Sequence, residues 1–572
     1  MKRLALAMAA LVAAVAVLVP LALPPARLTL PPAPPDGTVT GILHVHTNRS
    51  DGHGTPAQVA AAAARAGLQF VVFTDHGDAT RPPDPPTYRS GVLCLDGAEI
   101  STTGGHYLAI GLPGPAPYPL GGEPRDVVED VRRLGGFGIV AHPDSPKRDL
   151  RWSDWDAPFD GLEVLNLDTA WRARVQQPGW KARLGLLGVV LGYPVRPAET
   201  IAALVSDTGA ISRWESVARR RRVVLTAGAD AHARLAIAGG DPGGGAYALP
   251  LPGYEASFRA LSVHIRPDLP LTGDAAKDAA VLLRGLRAGH LYVALDGVAT
   301  PASFILTASN DLGTVHAGDA LGIGGPVTLH VRSNAPPGFT TIVWNGVQEV
   351  TRRQADDFSV TADAGPAVYR VEIRTGGRRL PTPWLISNPV YVRQPERPMA
   401  ESPPAPATAA QPVFDGRTDE GWRVEHDPVT LAAVDVAPAI GGASLRLRYG
   451  LGSGPSSGQF AALVRDLPSG IAGADRLTFT ARADRPMRVS VQLRVPGSNG
   501  GGERWQRSVY VDTFDEEHTI LFDDMRPIGS TAAARPDRAD VRSLLFVVDT
   551  TNTKPGTSGL FWITRAMAGP GR

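Results

Sequence analysis

Cysteine is almost absent: Cys94 is the only one in 572 residues. A single thiol excludes an internal disulfide and any thiolate zinc cluster, so a bound metal must be held by His, Asp or Glu. An excess of either charge is missing as well. Fifty-seven Lys and Arg face 56 Asp and Glu, a net +1 that leaves no whole-chain electrostatic footprint for nucleic acid. There is no Walker A sequence, and apolar and charged shares of 43% and 20% exclude wholesale disorder. Long apolar runs are absent but for one. Lys2 and Arg3 precede an uncharged stretch, Leu4–Leu23, of about 20 residues, the length that spans a bilayer.

That stretch predicts a signal peptide or N-terminal membrane anchor over 1–26, with a membrane partner through 4–23. The expected location is exported: anchored facing out of the cytoplasm, or periplasmic or secreted if the signal is cleaved. A Pro-rich stalk, 27–37, follows. From 38 to 300, short apolar runs alternate with helical stretches. Strands are expected at Val39–Leu43, Phe70–Phe73, Val92–Leu95, Tyr107–Ile110, Gly138–Val140, Leu162–Leu165 and Val223–Thr226. Thr55, Pro56 and Gly67 punctuate a helix over Ala57–Ala66. Alternating β and α predicts a mostly parallel α/β architecture. Residues 301–395 read as an antiparallel β-sandwich and 396–412 as a Pro/Ala-rich linker. Residues 413–572 read as a second sandwich, a galactose-binding-like jelly roll, in which Trp422, Trp505 and Trp562 read first as buried core aromatics and, as the alternative, as stacking surfaces for a glycan.

Chemistry concentrates in the first domain. His44 and His46 end the first strand, with Asp51 beyond them. His76 ends the second strand, Glu99 follows the third, His106 begins the fourth, and His142 closes the fifth. Asp230 and His232 follow the seventh. Residues i and i+2 of a strand share a face, so His44 and His46 can reach one ion together, and Asp230 and His232 have the same spacing. Imidazoles mixed with carboxylates suit Zn, Mn or Fe, and nine donors exceed what one ion takes, so two to three divalent transition metals are implied. Arg49, Lys147 and Arg234 lie on the same loops and are candidates for holding an anionic group.

The segments HVHTNRSDG, FTDHG, GAEIS, GGHYLAIGL, VAHP and GADAH resemble the PHP (polymerase and histidinol phosphatase) metallohydrolase family. LRAGHLYVALDG and PWLISNPVYV resemble its CehA/McbA-like branch. The resemblance covers about residues 38–395. It implies a distorted (β/α)7 barrel followed by two C-terminal antiparallel β-sandwich domains, with a trinuclear metal site. His44, His46, Glu99 and Asp230 would hold one ion. Glu99, His106 and His142 would hold a second, and Asp51, His76 and His232 the third. Glu99, as the bridge, and Asp230 are the expected catalytic residues. An amidohydrolase barrel also opens on HxH, but its binuclear form needs a lysine at a strand end. None of the five lysines occupies one. The implied activity is phosphoester hydrolysis, on phosphomonoesters or phosphodiesters, with nucleic acid entering only as a substrate through nucleotide or oligonucleotide 5′ ends. Carboxylester or carbamate hydrolysis is the alternative, and an exported carbohydrate-binding protein the second.

Overall fold

The computed structural model describes residues 23–31, 35–206, 209–236, 248–376, 382–394, 410–439, 441–454, 458–496, 502–529, 531 and 533–570. It divides into two compact units, one holding the chain up to Pro115 with Glu123–Arg397, the other Ala116–Gly122 with Pro398–Arg572.

The first unit is a mixed α/β domain. Its opening elements are β1 (Val39–Val45), α1 (Pro56–Ala66), β2 (Phe70–Phe73), β3 (Val92–Thr102), β4 (Gly105–Ile110), α2 (Pro124–Arg133), β5 (Phe137–Ala141), β6 (Gly161–Asn166), α3 (Leu167–Gln176), β7 (Val224–Gly228), β8 (Ser262–Ile265) and β9 (Leu291–Ala294). α1 forms for legible reasons. The Thr55 side chain accepts from Gln58 N while the Gln58 side chain accepts from Thr55 N, Pro56 takes the first turn, and Gly67 ends the helix in the left-handed region. β2, β5, β6 and β7 are buried along their whole length, which is why they read as continuous apolar runs rather than alternating ones.

The sheet is less parallel than the sequence pattern predicts. β1–β2–β3 and β5–β6–β7 are parallel runs, but β3–β4 and β4–β5 are antiparallel, and β8 runs antiparallel to both β1 and β9. The connection decides it. Only Thr103 and Gly104 separate β3 from β4, and two residues can reverse a chain but cannot carry a crossover. The third strand also continues past Leu95 to Thr102, so Glu99 lies inside a strand rather than after one. Beyond β9 the sheet is extended antiparallel by Pro383–Ser387, which pairs with β9, and then by Ala367–Arg374. A separate four-stranded antiparallel sheet is built from Gly313–His316, Phe304–Asn310, Val327–Ser333 and Asp357–Ala362. Leu28–Thr29 pairs in parallel with Ala299–Thr300.

The second unit is two six-stranded antiparallel sheets. Leu445, Phe479 and Phe561 of one sheet meet Leu463, Val491, Trp505 and Phe546 of the other in its core. Trp422, Trp505 and Trp562 are all buried, and the Arg482 guanidinium covers the Trp562 ring, so these rings serve packing and not a stacking surface.

The expected membrane anchor, and the membrane-anchored location argued from it, are corrected. Among the described residues no helix is long and apolar enough to cross a membrane. All of the Leu4–Leu23 run except Leu23, and with it the signal-peptide reading, lies outside the described residues.

Candidate metal centre

β1 delivers the first two imidazoles. His44 and His46 are fully buried, with side chains on one face, and His44 adopts a positive φ of 61°. The chain beyond β7 runs beside them: Ala229 N donates to the Leu43 carbonyl and His46 N to the Ala231 carbonyl. This pairing sets Asp230 Oδ1 3.4 Å from Nε2 of both His44 and His46. The approach is close enough to demand glycine at 228, where a Cβ would lie 1.8 Å from Glu163 Oε1.

Glu99 sits at the middle. Its Oε2 faces His44 Nε2 at 3.2 Å, His46 Nε2 at 3.0 Å and His76 Nδ1 at 3.4 Å. Its Oε1 faces His106 Nδ1 at 2.7 Å and His142 Nε2 at 2.9 Å. The β3–β4 hairpin explains His106: it pairs with Ser101, two residues from Glu99 and on the same face. His76 pairs with Glu99 through an isolated parallel bridge at the end of β2. Asp51 closes the far side, with Oδ2 3.2 Å from His232 Nε2 and 3.7 Å from His76 Nε2, and Oδ1 3.5 Å from His46 Nδ1.

All nine motif side chains thus converge. Their donor atoms form three overlapping groups, His44–His46–Glu99–Asp230, His46–Asp51–His76–His232 and His76–Glu99–His106, each within 4.8 Å. This geometry is compatible with two to three metal ions. The groups share His46 and His76 as well as Glu99, where the resemblance implied sharing of Glu99 alone. His142 enters through Glu99 Oε1.

The residues fit such ions on two further observations. Both ring nitrogens of buried His46 lack a hydrogen-bond partner, an arrangement that costs free energy unless another ligand takes them. Three histidines are also oriented alike. Nδ1 of His44 lies 2.8 Å from Glu163 Oε1, Nδ1 of His142 is 3.1 Å from the Leu150 carbonyl, and Nδ1 of His232 is 3.0 Å from the Asp230 carbonyl. An oxygen at Nδ1 fixes the proton there and leaves the Nε2 lone pair aimed into the cluster. Backbone strain marks the same positions, since His44, His142 and Asp230 all have positive φ, at roughly 1–3 kcal/mol for each such residue.

The electrostatics are those of a site that holds charge without water. Burial alone would depress His44, yet Asp230, Glu163 and Glu99 hold it well above the usual imidazole range. His46 is pushed up to about 9 against its burial by Asp230 and Glu99. His142 is raised by Glu99 against its burial, whereas burial keeps His76 low despite Glu99. Burial would raise the carboxyls, but the imidazoles hold Glu99 and Asp230 well below the carboxylate range and Asp51 down to about 2.

Glu163 is the residue that motif reading missed. It is buried in β6, accepts from His142 N and Asn166 Nδ2 at 2.8 Å through Oε2, and holds His44 through Oε1. A carboxylate flanked by Leu162, Val164 and Leu165 in the strand GLEVLN was the available signal. Glu163→Gln is expected to weaken metal binding by about 10–100-fold, because an amide oxygen no longer anchors the His44 tautomer as a charged acceptor does. Competition against a chromophoric chelator would read this; unchanged affinity would count against the orienting role.

The three basic candidates differ in their settings. Arg49 is tied to Asp84 and lies 3.6 Å from Asp96 Oδ1. Lys147 precedes the short 3-10 turn Arg148–Leu150, and Arg234 is half-buried just beyond His232.

No family model matches the chain. Solved carbohydrate-binding modules align with about a quarter of it. A family 11 module from Clostridium thermocellum in complex with a mixed-linked tetrasaccharide is 15% identical, covering 28% of this chain and 94% of that one, at a TM-score of 0.24. A family 30 module of a cellulosomal cellulase from the same organism is 11% identical, covering 28% and 98%, at 0.22. Scores this low carry no argument about ligand. The uncharacterized protein MJ1587 of Methanocaldococcus jannaschii is 30% identical over 138 residues, 22% of this chain and 80% of that protein. At that identity over four fifths of its relative, the chain belongs to the same family as MJ1587.

Proposed function

We infer that the protein is a metal-dependent hydrolase of the PHP type, in the CehA/McbA-like branch, that cleaves phosphomonoesters or phosphodiesters. The observation that carries this reading is Glu99, whose two oxygens each face a different set of imidazoles, as a bridging ligand must. The order of strand-end ligands along the chain supports it. So does the hydrogen bonding that runs from beyond β7 back to β1, the contact a (β/α)7 barrel uses to close. Ions of the Zn, Mn or Fe class, once bound, would neutralise charge growing on the scissile group and lower the pKa of a water toward neutrality.

The residues supply the rest. Glu99 and Asp230 stay ionised, so they act as fixed charge and not as proton carriers. Glu163 and the Leu150 carbonyl hold two imidazoles in one tautomer. Lys147 and Arg234, on loops around the cluster, orient the anionic group before attack.

Two measurements test this reading. Purified protein, remetallated gently, is expected to carry two to three equivalents of Zn, Mn or Fe per chain; elemental analysis giving less than one would remove the cluster. The loaded protein is then screened against phosphomonoesters, phosphodiesters, short oligonucleotides and aryl esters. Turnover of the last alone would move the assignment to carboxylester or carbamate hydrolysis.

A further inference from the structure

Beside His76, whose side chain is 35% exposed, opens a cavity of about 130 Å³. Its wall carries Arg49, Arg81 and Asp96 together with Asp75 and Asp78. The arginines are not free cations. Arg49 pairs with Asp84, and Arg81 pairs with Asp96 Oδ2 at 2.5 Å and with Asp84 Oδ1 at 3.2 Å. Asp75 is spent on Thr47 and Ser50, and Asp78 on Thr80. One atom is left over. Asp96, with its side chain 3% exposed, has an Oδ1 that is buried and lacks a hydrogen-bond partner, and it lies 3.6 Å from Arg49 Nη1, too far for a hydrogen bond.

We propose that this cavity receives the hydroxylated arm of the substrate's alcohol, making the preferred substrate a phosphoester of a short polyol or small sugar. The assignment rests on the phosphoesterase reading above and specifies its substrate. A hydroxyl set between Asp96 Oδ1 and Arg49 Nη1 donates to the carboxylate and accepts from the guanidinium, satisfying both. The competing occupants fare worse. A second phosphate or carboxylate would meet arginines already neutralised and acidic groups beside them. An aryl group would leave Asp96 Oδ1 dry, a desolvation cost of about 1–3 kcal/mol. Size agrees, since about 130 Å³ is room for a short hydroxylated chain.

The test uses two non-hydrolysable ligands that differ only in hydroxyls, 2,3-dihydroxypropyl phosphonate and propyl phosphonate, titrated calorimetrically into the full-length metal-loaded protein. The dihydroxy ligand is expected to bind at least about tenfold more tightly. In Arg49→Met and in Asp96→Asn that advantage should shrink to threefold or less. Arg49→Met leaves the Arg81–Asp96 pair in place, so it remains informative should Asp96→Asn fold poorly. Equal affinities in the unsubstituted protein, or an advantage that survives in the folded variants, would overturn the assignment. Phenyl phosphate turnover is scored separately. Turnover without a hydroxyl preference leaves the phosphoesterase reading standing and sinks the cavity assignment. A preference lost in the variants supports the cavity assignment even where phenyl phosphate is not cleaved, and that failure then counts against the reading alone.

Discussion

Glu99→Gln is expected to lower kcat by about 10²–10³-fold or more and to remove at least one equivalent of bound metal. The reason is placement. The carboxylate reaches five imidazoles, His44, His46 and His76 through Oε2 and His106 and His142 through Oε1. An amide keeps the shape but surrenders the negative charge, and its nitrogen end cannot act as a ligand, so one of the two sets loses its bridge. Asp51→Asn is the matched comparison. Asp51 reaches three imidazoles rather than five, His46, His76 and His232, so its loss should cost occupancy at that one group and less of the rate. Metal-free, the Glu99→Gln protein also buries imidazoles stripped of their counter-charge, worth about 3–5 kcal/mol of stability when one partner of a buried pair is removed. Circular dichroism and thermal melting must therefore show a folded variant before the rate is read. A folded, fully metallated Glu99→Gln protein with kcat within threefold of the parent would defeat the bridging role and the hydrolase assignment with it.

Without metal, the protein is expected to lose stability as pH rises from 6.5 to 9, and with metal to gain it. His46 in the folded, metal-free chain has its pKa raised from 6.5 to about 9. A group whose folded value is raised contributes stability fully below its unfolded value, and that stability is lost as pH rises through the folded one. For His46 the contribution is of order 3 kcal/mol, and His44 and His142 shift in the same direction. Asp51 works in the opposite sense. Lowered from 3.8 to about 2, it stabilises above pH 4 and loses its contribution as pH falls toward 2. The chelated protein should therefore be most stable between about pH 4 and 6.5. Metal inverts the upper limb, because ions bind deprotonated imidazoles and stabilise the folded state by mass action. Thermal melts at pH 6, 7.5 and 9, with chelator and with metal, should diverge steadily; parallel curves would show that the buried histidines do not hold these protons.

Local chemistry is written plainly in the chain. The capping residues Thr55 and Gln58 with Pro56 and Gly67 specify α1 without outside help, because each satisfies a backbone group or conformation within a few residues. Phe70–Phe73 matches its expected limits, since a buried parallel strand leaves a continuous apolar run, whereas the half-buried antiparallel strand Arg476–Ala483 alternates. The strand-end histidines and acids were visible too, because the period of a strand alone puts His44 beside His46.

What tertiary structure decided depends on partners distant in sequence. The hairpin that makes β3 and β4 antiparallel follows from a two-residue connection, but it is pairing with β4 that extends β3 past Glu99 and swings His106 onto its Oε1. Glu163 passed for a core strand residue until β6 set it against His44, 119 positions away, because nothing local distinguishes a carboxylate that holds an imidazole from one that is merely buried. Trp422 and Trp505 show the same dependence, since such rings suit a sugar or a core and only the facing sheet determines which, while Arg482 on the neighbouring strand covers the Trp562 ring. Sequence by itself thus determined which side chains were chemically competent and which short segments would hold them. The folded chain decided their distances and shared charges, because Coulomb and desolvation terms depend on separations and burial that no local pattern records.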